Sequence, residues 1–149
     1  MAETIIKTET EQVVKEVTPV MPELIKVFLS YPMAGLTKDE CKDIHNKMAD
    51  HIAKNWYAHY LELGGKLEFI DNIEHGQPED EEHKRLWNLG RSIQQMGQAD
   101  AVFFDPMNIF AKGCICESKV ARSYNIEMVL LKETFLSQDQ INRTLKEFY

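Results

Sequence analysis

The chain has 149 residues, 44% of them hydrophobic, with 24 Asp and Glu against 17 Lys and Arg for a net charge of −7. This length predicts one domain with a full hydrophobic core. The acidic balance and the lack of any Lys/Arg cluster argue against extended nucleic acid or an anionic membrane as partner. A small nucleotide stays open, because its phosphates need only backbone N–H groups and a single cation.

No apolar run reaches bilayer length, and Met1–Val20 carries several Glu residues and no signal-peptide core. Cys41, Cys114 and Cys116 form no disulfide framework spacing, which points to a reducing, cytoplasmic compartment. Cys114-x-Cys116 lacks the two-residue gap of a zinc or redox motif. No metal and no cofactor is expected, and the three cysteines read as small buried apolar residues.

Residues 1–24, rich in Thr, Glu and Val with Pro19 and Pro22 near the end, read as an N-terminal arm with a short helix over Glu11–Val17. The domain proper is expected over 25–149. Ile25–Leu29 is apolar enough for a buried strand, and in Ser30-Tyr31-Pro32-Met33-Ala34-Gly35 the Pro and Gly impose a turn. Thr37 with Glu40 three residues on makes a capping box. It opens a helix from Lys38 to about Leu63, with Ile44, Met48, Ile52, Trp56 and Tyr60 at near-helical spacing and Gly64-Gly65 as its end. Leu67–Ile70 is a second strand.

Asp71–Asp80 is a polar loop long enough to carry function, with His75 inside it and His83 beyond it as candidate ligand contacts. A helix follows over roughly Glu81–Met96, then a third strand, Ala101–Phe104, between Asp100 and Asp105 and stopped by Pro106. Gly113–Tyr124 is a helix, Met128–Leu131 a fourth strand, and Ser137 caps a last helix over Gln138–Phe148. Trp56 and Trp87 read as core, Trp87 alternatively as a stacking partner for a base. His45, His51 and His59 read as surface or partly buried residues. Strands alternating with helices predict a three-layer α/β/α fold with a parallel, flavodoxin/Rossmann-like sheet of four to five strands.

Ligands of such sheets bind at the carboxyl ends of the strands, against helix N-termini. Those ends supply Ser30–Gly35, Asp71–Asn72 and Asp105–Gly113. The small residues of Ser30–Gly35 suit a plain turn equally well as a close backbone approach to a ligand. The stretch is neither a G-x-x-x-x-G-K-[ST] loop nor a Gly-rich dinucleotide fingerprint. Glu117 falls in the first turn or so of its helix and has two readings. It is a structural acid favoured there by the helix dipole, or an ionised nucleophile for an anomeric carbon, where the transition state is oxocarbenium-like. Cys114, Ala121 and Tyr124 lie near it at helical spacings.

Four blocks in order carry a resemblance: Lys26-Val-Phe-Leu-Ser-Tyr-Pro-Met-Ala-Gly-Leu-Thr37, Leu86-Trp-Asn-Leu-Gly-Arg-Ser92, Ala99-Asp-Ala-Val-Phe-Phe104 and Ala111-Lys-Gly-Cys-Ile-Cys-Glu-Ser-Lys-Val-Ala-Arg-Ser-Tyr-Asn-Ile126. Over about Ile25–Leu131 the chain resembles the nucleoside 2-deoxyribosyltransferase-like superfamily, in particular its small phage and Firmicutes members. The resemblance implies that Glu117 attacks C1′ of a nucleoside or nucleotide and releases the base, after which water or a second base takes the sugar. It implies that Ser30, Tyr31, Pro32, Met33, Ala34 and Gly35 border sugar or base. Arg91, Ser92 or Lys112 would meet a phosphate, with Asp105 and Gly113 also in the substrate site. It further implies a homo-oligomer in the cytoplasm, that of a host cell if the gene is a phage's.

Two positions depart from that pattern. Ser92 and Ala111 stand where the well-studied enzymes carry Asp, the first of which helps protonate the leaving base. The loop Pro106-Met-Asn-Ile-Phe110 replaces a usual Gly-Trp. The expectation is therefore an N-glycosidic bond hydrolase or deoxyribosyltransferase. Its rivals are a nucleotide or nucleotide-signal binding protein without turnover, of counter-defence or regulatory use, and an oligomeric protein with a vestigial pocket.

Overall fold

A computed structural model describes residues 21–73 and 83–148. The arm over 1–20 with its expected helix, and 74–82 with His75 and the expected helix start at Glu81, lie outside the described residues. Four parallel strands form one sheet: β1 (Leu24–Ser30), β2 (Lys66–Phe69), β3 (Ala101–Phe104) and β4 (Glu127–Leu130). Their order is β2-β1-β3-β4. Val27 pairs with Phe69 on one side and with Ala101 on the other, and Phe104 pairs with Leu130.

The order follows from right-handed crossovers. Helix α1 (Lys38–Asn55) carries the chain from β1 to β2, and α3 (Lys84–Met96) carries it back past β1 to β3. The two helices therefore cover opposite faces. Helix α4 (Lys112–Ser123) joins β3 to β4, and α5 (Gln138–Phe148) follows β4. Alternation along the strands divides the core accordingly. Val27, Leu29, Ala101 and Phe103 pack with Ile44, Met48 and Ile52 of α1 and Ile141 of α5. Phe28, Val102 and Phe104 pack with Met96 of α3 and Ala121 of α4. The α/β/α layering expected from the alternation is present, with four strands among the described residues. No helix among them is long and apolar enough to cross a membrane.

The Thr37–Glu40 capping box forms in full, both side chains meeting the other residue's backbone N–H. The long helix expected to run to Leu63 instead breaks. Helix α1 ends at Asn55, and a five-residue α2 (Ala58–Glu62) follows after Trp56 and Tyr57 leave helical geometry. The break lets both aromatic rings reach Phe103, at centroid distances of 5.6 and 6.1 Å. Trp56 is thereby not core but half exposed. Gly64, at φ +94°, ends α2 as expected. Asn125, at φ 59°, turns α4 into β4, with Ile126 N–H bonded to Ala121 O at 2.9 Å.

Candidate functional site

The chain crosses from one face of the sheet to the other between β1 and β3. This switch point is where sheets of this order hold ligands. There the carboxyl ends of the strands open on a cavity of about 840 Å³, within the range of small-molecule sites.

Ser30 ends β1, fully buried. Its Oγ donates to Glu117 Oε1 at 2.6 Å. Ser92, on α3, donates to the other carboxylate oxygen, Oε2. Glu117 is 7% exposed and lines the cavity with Ser92 and Cys114. Two hydroxyl donors from separate elements, 87 and 25 residues away along the chain, thus hold one carboxylate at the cavity floor. Both donors are uncharged, and a carboxylate is acceptor-only in its ionised form.

Glu117 is the sixth residue of α4, not a first-turn residue, because the helix already starts at Lys112. The dipole argument for its position therefore loses weight, since that effect fades beyond the first turn. Its placement is set instead by the buried face it shares with Cys114 and Ala121. Tyr124, expected beside it, is 76% exposed. Burial pushes the Cys114 thiol well above its ordinary pKa, with the neighbouring Glu117 charge adding to the rise.

The Ser30–Gly35 segment supplies one wall through Tyr31, Pro32, Met33, Ala34 and Gly35. Tyr31 is buried and its OH donates to Cys41 O at 3.0 Å. Burial raises its phenol pKa, with Cys41 the next contributor. Leu36 N–H bonds to Met33 O at 3.1 Å, closing the turn, and Gly35 takes φ +84° within it. A Cβ there would stand 2.9 Å from Arg143 O on α5, so the position requires glycine twice over. Arg143 then ties the turn to α1: its Nη1 donates to Gly35 O at 3.2 Å and to Glu40 Oε1 at 2.8 Å, and its Nη2 to the other Glu40 oxygen. These bonds hold the Glu40 carboxyl well below the usual carboxylate range, Arg143 contributing most.

Lys112 and Gly113 line the cavity as expected. Ser30, His83, Trp87, Arg91 and Asp105, each an expected contact, do not. Ser30 acts behind the surface through Glu117. Arg91 points away, its guanidinium 5.6 Å from the centre of the Trp87 ring, and is exposed. Trp87 is accordingly only partly buried and forms no wall of the cavity.

Asp105 is fully buried beneath the loops: it accepts from Met107 N at 2.8 Å and from Thr134 Oγ1 and Phe135 N, both at 3.0 Å. Its carboxylate N-caps the 3₁₀ turn Pro106–Phe110 and anchors the β4–α5 connection, which occupies both oxygens. Burial raises its carboxyl pKa, and those three donors oppose the rise. Asp100 lies at the far end of the sheet, exchanging bonds with the Lys26 backbone. The cysteines divide: Cys41 and Cys114 are buried, whereas Cys116 is exposed on the outer face of α4.

Several lining residues were not singled out as site residues from the sequence, although Asn88 and Leu89 fall within the Leu86–Ser92 block. Arg85, Asn88 and Leu89 come from α3, and Thr144 and Glu147 from α5. The Arg85 guanidinium pairs with Glu147 between those helices at the cavity mouth. Asn72, directly after β2, is buried, and its Nδ2 donates to Leu29 O at 2.7 Å. Its place just past a strand end was the one available hint. No group of three or more His, Cys, Asp or Glu among the described residues is placed to hold a metal ion. Comparison with protein-family models, with curated proteins and with solved structures found no match to this chain.

Proposed function

We propose that this protein cleaves or transfers an N-glycosidic bond of a nucleoside or nucleotide, with Glu117 as the nucleophile, in the manner of the nucleoside 2-deoxyribosyltransferase-like superfamily that its motifs resemble. The observation that carries this reading is the Glu117 carboxylate, gripped by Ser30 and Ser92 at the floor of a cavity of about 840 Å³. A fixed carboxylate in a roomy cleft is suited to attack on an anomeric carbon, where positive charge develops in the transition state. The walls Tyr31–Gly35 and Leu89 offer apolar surface to a base or sugar. Lys38, Arg85 and Lys112 at the mouth offer cations to a phosphate.

The test is base release from a panel of nucleosides and nucleotides, followed by chromatography. Wild type is expected to release free base and Glu117→Gln to release none. A wild type inert towards the whole panel would refute the reading. One observation favours a second reading, a binding protein without turnover: Ser92 and Ala111 provide no acid for the leaving base. That reading expects the ligand to be recovered intact and stoichiometric after denaturation. The superfamily resemblance also brings an expectation of a homo-oligomer, which sedimentation would read.

A further inference from the structure

One face of α3 runs the depth of the cavity. Arg85, Asn88, Leu89 and Ser92 stand at helical spacing i, i+3, i+4 and i+7, and all four line it. Ser92 is at the floor, where it donates to Glu117. Arg85, the second residue of the helix, is at the mouth, paired with Glu147 of α5. Seven residues at about 1.5 Å each set the two about 10 Å apart along the helix axis. The stripe is therefore a ruler between the nucleophile and a cation.

That spacing fits a nucleotide. An attacked C1′ lies about 3 Å from the carboxylate. In a nucleoside 5′-monophosphate the ring oxygen, C4′, C5′ and O5′ then carry the chain from C1′ up to the phosphorus, within reach of a guanidinium at the mouth. A nucleoside stops at its 5′-hydroxyl, short of it. The charges around the cavity agree. Helices α1, α3 and α4 each begin with Lys, against the sense of their own dipoles, and an anion between them offsets that cost. Two of these residues, Lys38 and Lys112, line the cavity with Arg85. No side chain caps α4 at Ala111, and Lys112, Gly113 and Cys114 line the same space, so the positive end of that helix faces it too.

The Arg85–Glu147 pair is the contact a phosphate would replace. The Arg85 side chain is 70% exposed, and exposed ion pairs are weak. A guanidinium gives a phosphate two parallel charge-assisted bonds, which are stronger. We infer that the substrate carries a 5′-monophosphate and that Arg85 is the residue that selects it, giving up Glu147 to take the phosphate. This rests on the glycosidic reading above and specifies its substrate class and a specificity-determining residue.

The test compares base release, as kcat/KM, from the common ribo- and deoxyribonucleosides, their 5′-monophosphates and their 3′-monophosphates. Wild type is expected to prefer the 5′-monophosphates at least about tenfold over the nucleosides, the worth of a hydrogen bond to a charged group. The same preference is expected over the 3′-isomers, which carry equal charge at the wrong distance. Arg85→Ala is expected to lower the ratio of 5′-monophosphate to nucleoside at least about fivefold, and Arg85→Lys less, since an ammonium keeps the charge without the fork. Both substrates are assayed on one sample, so a loss of folded protein cancels in the ratio. Glu147→Gln is expected to lower the KM of the 5′-monophosphate by up to about fivefold, the range of an exposed ion pair. Nucleosides or 3′-monophosphates cleaved as fast as 5′-monophosphates would overturn the inference and leave the glycosidic reading standing. So would a ratio that Arg85→Ala leaves unchanged, or a KM that Glu147→Gln leaves unchanged or raises. No release from any member of the panel would overturn both.

Discussion

Asp105 offers the sharpest test of how the site is held together. Asp105→Ala removes the acceptor for Met107 N–H, Phe135 N–H and the Thr134 hydroxyl. The hydroxyl can turn elsewhere, whereas the two backbone donors are fixed by their chain. An unsatisfied buried donor costs about 1–3 kcal/mol. Both sites are only partly buried, and losing the carboxylate also relieves its desolvation, so the net loss is expected at about 2–3 kcal/mol. With a urea dependence of about 2 kcal/mol per M, that moves the denaturation midpoint down by about 1–1.5 M at unchanged slope. Asp105→Asn keeps the shape and one oxygen, which can still accept from Met107. Its amide N–H₂ then faces the Phe135 N–H, so one backbone donor is orphaned and roughly half the loss is expected. Neither variant touches the cavity wall, so ligand affinity of the folded fraction should hold. Asp105→Ala within about 0.5 kcal/mol of wild type, the ordinary range of a surface change, would refute the assignment of this residue to the framework.

Gly35→Ala forces an L side chain into the left-handed region, at about 1–2 kcal/mol, and presses its Cβ against Arg143 O. A lower melting temperature and easier proteolysis of α5 are expected; wild-type behaviour in both would contradict the packing described. The Glu40 carboxyl is held below its ordinary pKa, so its contribution is present above about pH 4.5 and is lost as the pH falls towards the folded-state value. Glu40→Gln should be less stable than wild type near neutrality, with the difference closing in acid and shrinking in salt; a constant difference across acid titration would exclude the Arg143 pair as its source. Burial pushes the Cys41 thiol up to about 11, and Cys114 is shielded in the same way, so a thiol reagent should label the exposed Cys116 first in the native state and all three cysteines only after unfolding. Labelling of Cys114 at the same rate would show that the cavity floor is open to solvent.

The alternation of strand and helix was legible without coordinates, because each element announces itself within a few residues. Apolar runs such as Ala101–Phe104, the Thr37–Glu40 cap and the Gly64 stop act through local backbone chemistry. The carboxyl-end location of the candidate site, its Tyr31–Gly35 wall and the interest of Glu117 were read from that pattern, whereas Lys112 was singled out only through the motif resemblance. The break after Asn55 was invisible because the contact it permits, of the Trp56 and Tyr57 rings with Phe103, involves a residue far along the chain.

Direction was the other gap. Residues one position apart on a helix point about 100° from each other, so Arg91 faces solvent while Ser92 faces Glu117. Periodicity places both on α3 without saying which neighbours they meet. Tertiary structure also decided the fate of Asp105, whose carboxylate is used up by donors from two loops, and it brought α5 across the Gly35 turn. Sequence alone thus determined the elements and the carboxylate worth examining. Which hydroxyls grip that carboxylate, and which charged groups face away from it, depended on chain segments that meet only when the sheet assembles.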